Sequence, residues 1–238
     1  ATTVFGALTT LIVGVLLNEE DVAYWSVCMQ IVSAAKAPLP DFSLVDKLLV
    51  TAEKKGIEGI ICLNKTDLAD DAQAESFCEV YQKAGYKVIK ACALTGEGTD
   101  EIKNLIKGRT VAFTGLSGVG KSSLLKQITG KSLETGSVSK IERGRHTTRY
   151  VEIISAAGGF VFDTPGFSRL EADDVYADEL WQYFPEIRER QGECRFRTCN
   201  HIREPGCSVL DAVENGEMAP SRHKSYEELY LRLKDIKD

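Results

Sequence analysis

One eight-residue segment matches a phosphate-binding loop at every fixed position of the pattern G-x-x-x-x-G-K-[ST]. The segment is G-L-S-G-V-G-K-S, which starts at Gly115 and ends at Ser122. Glycines let the backbone wrap around a polyphosphate, while successive N–H groups and a helix start supply positive potential. Lys121 is suited to reach the outer phosphates, and the Ser122 hydroxyl is suited to bind Mg²⁺. The residues expected to contact the nucleotide are Gly115, Ser117, Gly118, Val119, Gly120, Lys121, Ser122 and Ser123.

The sequence on either side of this loop has the context that the motif requires. Residues 110–114 are predicted to form a buried strand, and residues 122–129 a helix with Leu124 and Leu125 facing the core. The alternative is a chance glycine-rich turn that opens a structural helix. The match of both flanks favours the phosphate-binding interpretation.

A second motif, N-K-T-D, follows a predicted strand at residues 57–63. The carboxylate of Asp67 can accept hydrogen bonds from N1–H and the 2-amino group of guanine, which adenine cannot reciprocate. We expect Asn64 to brace the phosphate loop and the Lys65 stem to cover the base. The alternative is an ordinary loop in which Asp67 caps a helix. Together with the phosphate loop, the motif predicts guanine binding.

Two further segments complete the pattern of a nucleotide site. Cys92, Ala93 and Leu94 begin a loop that resembles the S-A-[KL]-x-G-x-G element of GTPases, with cysteine in the usual place of serine, and a backbone N–H near Ala93 is expected to meet guanine O6. A predicted strand at 159–162 ends on D-T-P-G, where Asp163 would hold Mg²⁺ through water and the Gly166 N–H would sense the γ-phosphate. Alone, Asp163 could merely cap a turn.

The order of the motifs differs from that of ordinary GTPases, in which the base-recognition motifs come last. Here they come first, so the sequence predicts a circularly permuted GTPase domain at residues 22–173. The expected fold is α/β, with a mostly parallel, doubly wound sheet whose strands still converge on one edge. Residues 1–21 are expected to be a truncated β segment like part of an OB-fold. The D-T-P-G segment is then the last motif of the domain, so whatever follows it is tied directly to the switch.

A candidate metal site lies in the predicted C-terminal domain, residues 174–238, which we expect to be small and mainly helical. Its spacing is C-x4-C-x-H-x5-C, and three thiolates with one imidazole suit a closed, structural Zn²⁺ site. A disulfide or coincidence is the alternative, less favoured in a reducing compartment. The expected zinc ligands are Cys194, Cys199, His201 and Cys207. A last helix at 221–236 carries an apolar stripe that we expect to pack on this domain.

Composition limits the partners. The chain has 238 residues, is 43% hydrophobic and carries a formal net charge of −6, which argues against a generally basic nucleic-acid binder. RNA contact would need local patches: Lys140, Arg143, Arg145 and Arg149, and Arg188, Arg190, Arg195, Arg197 and Arg203. Cysteines scattered in apolar surroundings indicate a reducing compartment, and residues 1–17 lack the basic start of a signal peptide and the length of a membrane span. We therefore expect a cytoplasmic protein without a membrane anchor.

These motifs together resemble the RsgA/YjeQ family of circularly permuted GTPases, which act in late maturation of the small ribosomal subunit. The resemblance rests on N-K-T-D, G-L-S-G-V-G-K-S-S, G-R-H-T-T at 144–148, D-T-P-G-F and the zinc spacing. It implies GTP hydrolysis to GDP, slow alone and stimulated by the small (30S) subunit, with release on hydrolysis. It also implies Mg²⁺, one zinc ion, and rRNA as a partner of the zinc domain and OB-fold. We expect a monomer.

The resemblance also directs attention to the hydrolytic water. Phe167 follows D-T-P-G, where many GTPases have a water-orienting glutamine, and a phenyl ring cannot position water. We expect His146 to take that role beside Thr148, the presumed Mg²⁺-linked switch threonine, with Lys121 as the third catalytic residue. Alternatively, His146 contacts RNA or packs. Competing functions are a nucleotide-gated RNA-binding module with little catalysis, a GTPase of another ribonucleoprotein, and a general P-loop ATPase.

Overall fold

The sheet at the centre of the protein has six strands in the described parts of the chain. A computed structural model describes residues 27–33, 42–116, 118–130, 152–163 and 175–237. The strands are β1 (Val27–Ser33), β2 (Glu58–Asn64), β3 (Lys87–Ala91), β4 (Thr110–Thr114), β5 (Glu152–Ala156) and β6 (Gly159–Asp163). Their order is β3-β2-β1-β4-β6-β5, parallel except for the antiparallel edge strand β5. The predicted mostly parallel α/β sheet is therefore confirmed.

Helices connect the parallel strands and cover both faces of the sheet. The α-helices among the described residues are α1 (Phe42–Lys54), α2 (Asp71–Lys83), α3 (Thr99–Ile106), α4 (Lys121–Thr129), α5 (Pro185–Arg188), α6 (Ser208–Glu214) and α7 (Pro220–Lys237). The Asp70 carboxylate caps α2 by accepting from the Gln73 N–H.

Strand β2 shows why the core of this sheet has two sides. Ile60 and Cys62 pack into the cluster that contains α3 and α4, whereas Ile61 and Leu63 pack into the cluster that contains α1 and α2. All four side chains are completely buried. A continuous apolar run is typical of a parallel strand with helices on both faces, which explains why its sequence does not alternate.

The carboxyl ends of the parallel strands meet at one edge of the sheet. Asn64 at the end of β2 is paired in register with Ala91 at the end of β3, and Phe113 on β4 is paired with Asp163 at the end of β6. The permuted chain order therefore still brings the loops after these strands to a common edge. In open α/β sheets this edge is where ligands bind.

The C-terminal part of the chain, residues 175–237, forms a mainly helical module, which we call the zinc-binding module after the ion that the sequence predicts for its cysteines and histidine. It comprises a 3₁₀ helix at Ala177–Tyr183, α5, a loop that carries the cysteines, α6 and α7. Its apolar cluster includes Leu180, Phe184, Tyr226, Leu229 and Leu233. The apolar stripe predicted for the last helix thus packs on this module. Within the described residues, no helix has the length and apolar character needed to cross a membrane.

Candidate nucleotide-binding site and metal centre

The phosphate loop joins β4 to α4 through a backbone that glycine adopts readily. Gly115, Gly118 and Gly120 have φ angles of 138°, 81° and 97°, a region that disfavours side chains. The Lys121 Nζ donates hydrogen bonds of 2.5 Å to the Gly115 carbonyl and 3.0 Å to the Leu116 carbonyl. The ammonium is therefore held against the loop at the start of α4, where backbone N–H groups favour an anion. Ser122 and Ser123 lie in the first turn of this helix.

Asn64 connects the base-recognition motif to the phosphate loop. Its Nδ2 donates a buried hydrogen bond of 2.8 Å to the Val119 carbonyl, which is the brace that the sequence predicts. A Cβ at Gly120 would collide with this amide, so the close approach requires glycine there. Lys65, in the left-handed conformation, donates a 2.6 Å hydrogen bond to the Gly118 carbonyl.

The two loops expected to read guanine also contact each other. The Cys92 thiol donates a hydrogen bond of 3.1 Å to the Asp67 carboxylate. The Thr66 hydroxyl lies 3.2 Å from the Ala91 carbonyl and 3.1 Å from the Glu97 carboxylate. These contacts hold the Asp67 carboxylate beside the loop of Cys92, Ala93 and Leu94. The Leu94 side chain is 86% exposed.

The structure describes only some of the residues predicted to lie around Mg²⁺ and the γ-phosphate. The backbone of Asp163 ends β6 beside β4, the strand that leads into the phosphate loop. Ser117, His146, Thr148 and Gly166 lie outside the described residues. The roles that the sequence assigns to them therefore stay predictions.

The four predicted zinc ligands come together in one cluster. The ligand atoms of Cys194, Cys199, His201 and Cys207 all lie within 4.8 Å of one another. The His201 Nδ1 is 3.5 Å from the sulfurs of Cys194 and Cys207, which are 3.9 Å apart. A tetrahedral site with Zn–S near 2.3 Å and Zn–N near 2.0 Å has edges of about 3.5–3.8 Å, so the donors fit one zinc ion.

The surroundings act differently on the three thiols of the cluster: hydrogen bonds favour the thiolate of Cys194, whereas burial raises the pKa of Cys199 and Cys207. Burial opposes ionisation of Cys194, but hydrogen bonds from the Ser208 hydroxyl and backbone N–H outweigh it and hold the thiol pKa below its ordinary value. The Ser208 oxygen lies 3.2 Å from the Cys194 sulfur. His201 faces the sulfurs with Nδ1, while its Nε2 is buried and has no hydrogen-bond partner within the described part of the chain. We infer that Nδ1 is the ligand atom.

Glu204 organises the loop that carries His201, a role that the sequence analysis missed. Its carboxylate accepts hydrogen bonds from the backbone N–H groups of Asn200, Ile202 and Arg203 at 2.9, 3.0 and 3.0 Å. Burial by itself would raise the pKa of Glu204. The hydrogen bonds from these N–H groups outweigh burial and lower the pKa to about 2. The sequence did contain one signal for this role, namely an acidic residue in the short segment between the expected ligands His201 and Cys207.

Carboxylates lie beside several arginines of the second patch. Arg188, Arg190 and Arg203 form ion pairs with Glu53, Glu217 and Glu227, respectively. The Arg195 guanidinium lies 5.5 Å from the Phe196 ring centre. The first patch, at 140–149, lies outside the described residues. Three of the five arginines of this patch thus have a neighbouring carboxylate.

Comparison of the sequence with known proteins supports the assignment of a GTPase site. A protein-family model for the RsgA GTPase matches residues 22–173. The small ribosomal subunit biogenesis GTPase RsgA of Ruminiclostridium cellulolyticum is 47% identical over 209 residues, which are 87% of this chain and 68% of the relative. A relative of the same name from Geobacillus sp. is 41% identical over 237 residues, covering 94% of this chain and 81% of the relative.

Solved structures give the same answer for the fold. The crystal structure of YjeQ from Thermotoga maritima has a TM-score of 0.74 at 37% identity, covering 88% of this chain and 72% of that one. The structure of YloQ, a circularly permuted GTPase, also has a TM-score of 0.74, at 34% identity, covering 90% and 70%. The chain therefore belongs to the RsgA family of GTPases and has their circularly permuted fold.

Proposed function

We propose that this GTPase is an assembly factor for the small ribosomal subunit, that it binds rRNA, and that GTP hydrolysis times its release. The name shared by relatives at 47% and 41% identity supports the assignment to this subunit. The observation that carries the nucleotide part is the Asn64 hydrogen bond to Val119, because it joins the guanine-recognition and phosphate motifs into one site.

Guanine recognition falls to the two loops linked by the Asp67–Cys92 contact. Asp67 accepts from the base edge, the Lys65 stem covers the ring, and the loop of Cys92, Ala93 and Leu94 contributes a backbone donor to O6. Since the thiol holds one oxygen of the carboxylate, the aspartate is oriented before the base arrives. This arrangement favours guanine over adenine and disfavours the alternative of a general ATPase.

Phosphate binding falls to the loop from Gly115 to Ser123 and to Lys121. When a nucleotide enters, the ammonium would exchange its two carbonyl partners for phosphate oxygens. Ser122, Thr148 and Asp163 are the residues that would hold Mg²⁺, which neutralises charge on the phosphates. Gly166 would sense the γ-phosphate, and His146 would orient the attacking water.

The zinc site stabilises the C-terminal module rather than catalysing a reaction. Cys194, Cys199, His201 and Cys207 would supply all four ligands of a zinc ion, so such a site would leave no position for water or substrate. A module of this size has a small apolar core, so metal binding supplies part of its folding free energy. We also propose the domain division expected from the sequence, namely a truncated OB-like β segment at 1–21, the GTPase domain at 22–173 and the zinc-binding domain at 174–238.

Sedimentation with purified small subunits tests the docking step. The protein should pellet with the subunits in the presence of a non-hydrolysable GTP analogue and stay in the supernatant with GDP. Lys121→Ala, which cannot hold the phosphates, should lose the difference between the two nucleotides. Equal pelleting in both states would favour a plain RNA-binding module, and absence from the pellet in both would remove the small subunit as partner. We further propose that the protein acts as a monomer in the cytoplasm.

A further inference from the structure

A buried charge cluster joins the zinc-binding module to the GTPase domain. Arg222 on α7 donates a 2.5 Å hydrogen bond to Asp46 on α1, and a bidentate pair of 2.7 and 3.0 Å to Glu186 on α5. The three side chains are 1%, 0% and 6% exposed. One arginine thus connects a carboxylate of each part of the protein, out of contact with water.

Aromatic rings complete the surroundings of this guanidinium. Its central carbon lies 5.6 and 5.5 Å from the ring centres of Tyr81 and Tyr86 of the GTPase domain, and 4.5 Å from that of Phe184 of the module. The Tyr81 hydroxyl donates a 3.0 Å hydrogen bond to Asp46. Removal of the arginine would leave both carboxylates buried without their counter-ion, which is strongly unfavourable.

Helix α1 is shared between the two parts of the protein. Val45 and Leu49 pack into the apolar cluster under the sheet, whereas Val50 belongs to the apolar cluster of the module. Val50 lies four residues after Asp46, so both are on the face of α1 that meets the module. On the same side, Lys54 pairs with Glu179 at 2.9 Å. The interface therefore combines apolar burial with the charge cluster.

We propose that the Arg222 cluster latches the zinc-binding module onto α1, so that the module and the guanine-recognition half of the sheet move as one body in both nucleotide states. The D-T-P-G segment follows β6, which β4 and β1 separate from β2 in the sheet. The module is thus joined to the switch side by the chain and to the opposite side by the latch. When the nucleotide changes the conformation of the D-T-P-G segment, the module therefore stays in place on α1 instead of rotating with that segment. This inference does not depend on the ribosomal partner.

Hydrogen–deuterium exchange on the zinc-loaded full chain tests the latch. Peptides from 42–54 and 220–237 should exchange slowly and equally with GDP and with a non-hydrolysable GTP analogue. A tenfold or larger difference between the two nucleotides in the wild-type protein would overturn the proposal, whether or not any variant folds.

Two amide substitutions on α1 provide a matched pair. Asp46→Asn removes the buried charge of the GTPase domain but leaves the Arg222–Glu186 pair inside the module, and Glu53→Gln breaks an exposed pair with Arg188. Asp46→Asn should speed exchange in 220–237 at least tenfold while zinc content stays at one per chain, and Glu53→Gln should change it less than twofold. Equal behaviour of the two variants would contradict the latch.

Discussion

Asn64 and Val119 are 55 residues apart in the chain, yet the Asn64 side-chain amide donates a buried 2.8 Å hydrogen bond to the Val119 carbonyl. Asn64 ends β2 and Val119 lies in the phosphate loop after β4, with β1 between the two strands. The hydrogen bond therefore links two loops whose strands are separated by β1. It fixes the distance between the loop that recognises the base and the loop that binds the phosphates.

Asn64→Ala should weaken binding of both GTP and GDP by about tenfold or more. The substitution leaves the Val119 carbonyl buried without a donor, at a cost of about 1–3 kcal/mol, and frees the phosphate loop. Isothermal titration calorimetry with each nucleotide measures the effect. Asn104→Ala, an exposed asparagine on α3, is the control, and equal affinities for the two variants would refute the brace.

Asp67→Asn should reduce GTP affinity by at least about a hundredfold, because the amide cannot accept the two hydrogen bonds of the guanine edge. Xanthine carries a carbonyl in place of the 2-amino group, so xanthosine triphosphate should bind the variant better than GTP. Competition with a fluorescent nucleotide gives both affinities. Asp71→Asn, four residues along the chain, should leave them unchanged. If Asp67→Asn left the GTP affinity unchanged, the result would contradict guanine recognition by Asp67 and favour a general P-loop ATPase.

Glu204→Gln should destabilise the protein in a pH-dependent way. The folded pKa of Glu204 is about 2, below its ordinary 4.5, so its carboxylate stabilises the fold above pH 4.5 and loses this effect as pH falls toward 2. With allowance for solvent screening, we expect a difference of about 1 kcal/mol at pH 7. Urea unfolding of both proteins between pH 7 and pH 3.5 should show the difference shrinking below pH 4.5. A constant difference would exclude the charge as its origin.

His146→Ala should slow subunit-stimulated GTP hydrolysis by about a hundredfold and leave GTP affinity within about twofold, as expected for loss of a group that positions water. Single-turnover phosphate release and nucleotide titration separate the two effects. Gln at this position should restore part of the rate, because its amide can hydrogen-bond water. Unchanged stimulated turnover in His146→Ala would discard the role.

The sequence predicted what short patterns encode. Each motif combines fixed residue types with a local strand, helix or loop, as in the phosphate loop, N-K-T-D and the zinc spacing. The parallel arrangement of the strands then places Asn64 beside the phosphate loop. The Arg222–Asp46 pair was not predictable in this way, because its members are 176 residues apart and neither belongs to a motif. The same holds for the face of His201 that meets the cysteines, since ring orientation depends on packing.

The most direct test of the account is GTP turnover by the full chain with and without purified small ribosomal subunits. Ordering of the catalytic groups by a partner can accelerate GTP hydrolysis by several orders of magnitude, and we predict at least about a tenfold increase. Large subunits at the same concentration serve as the control and should have no effect. Turnover that is the same with small subunits, large subunits or neither would contradict a GTPase gated by the small subunit.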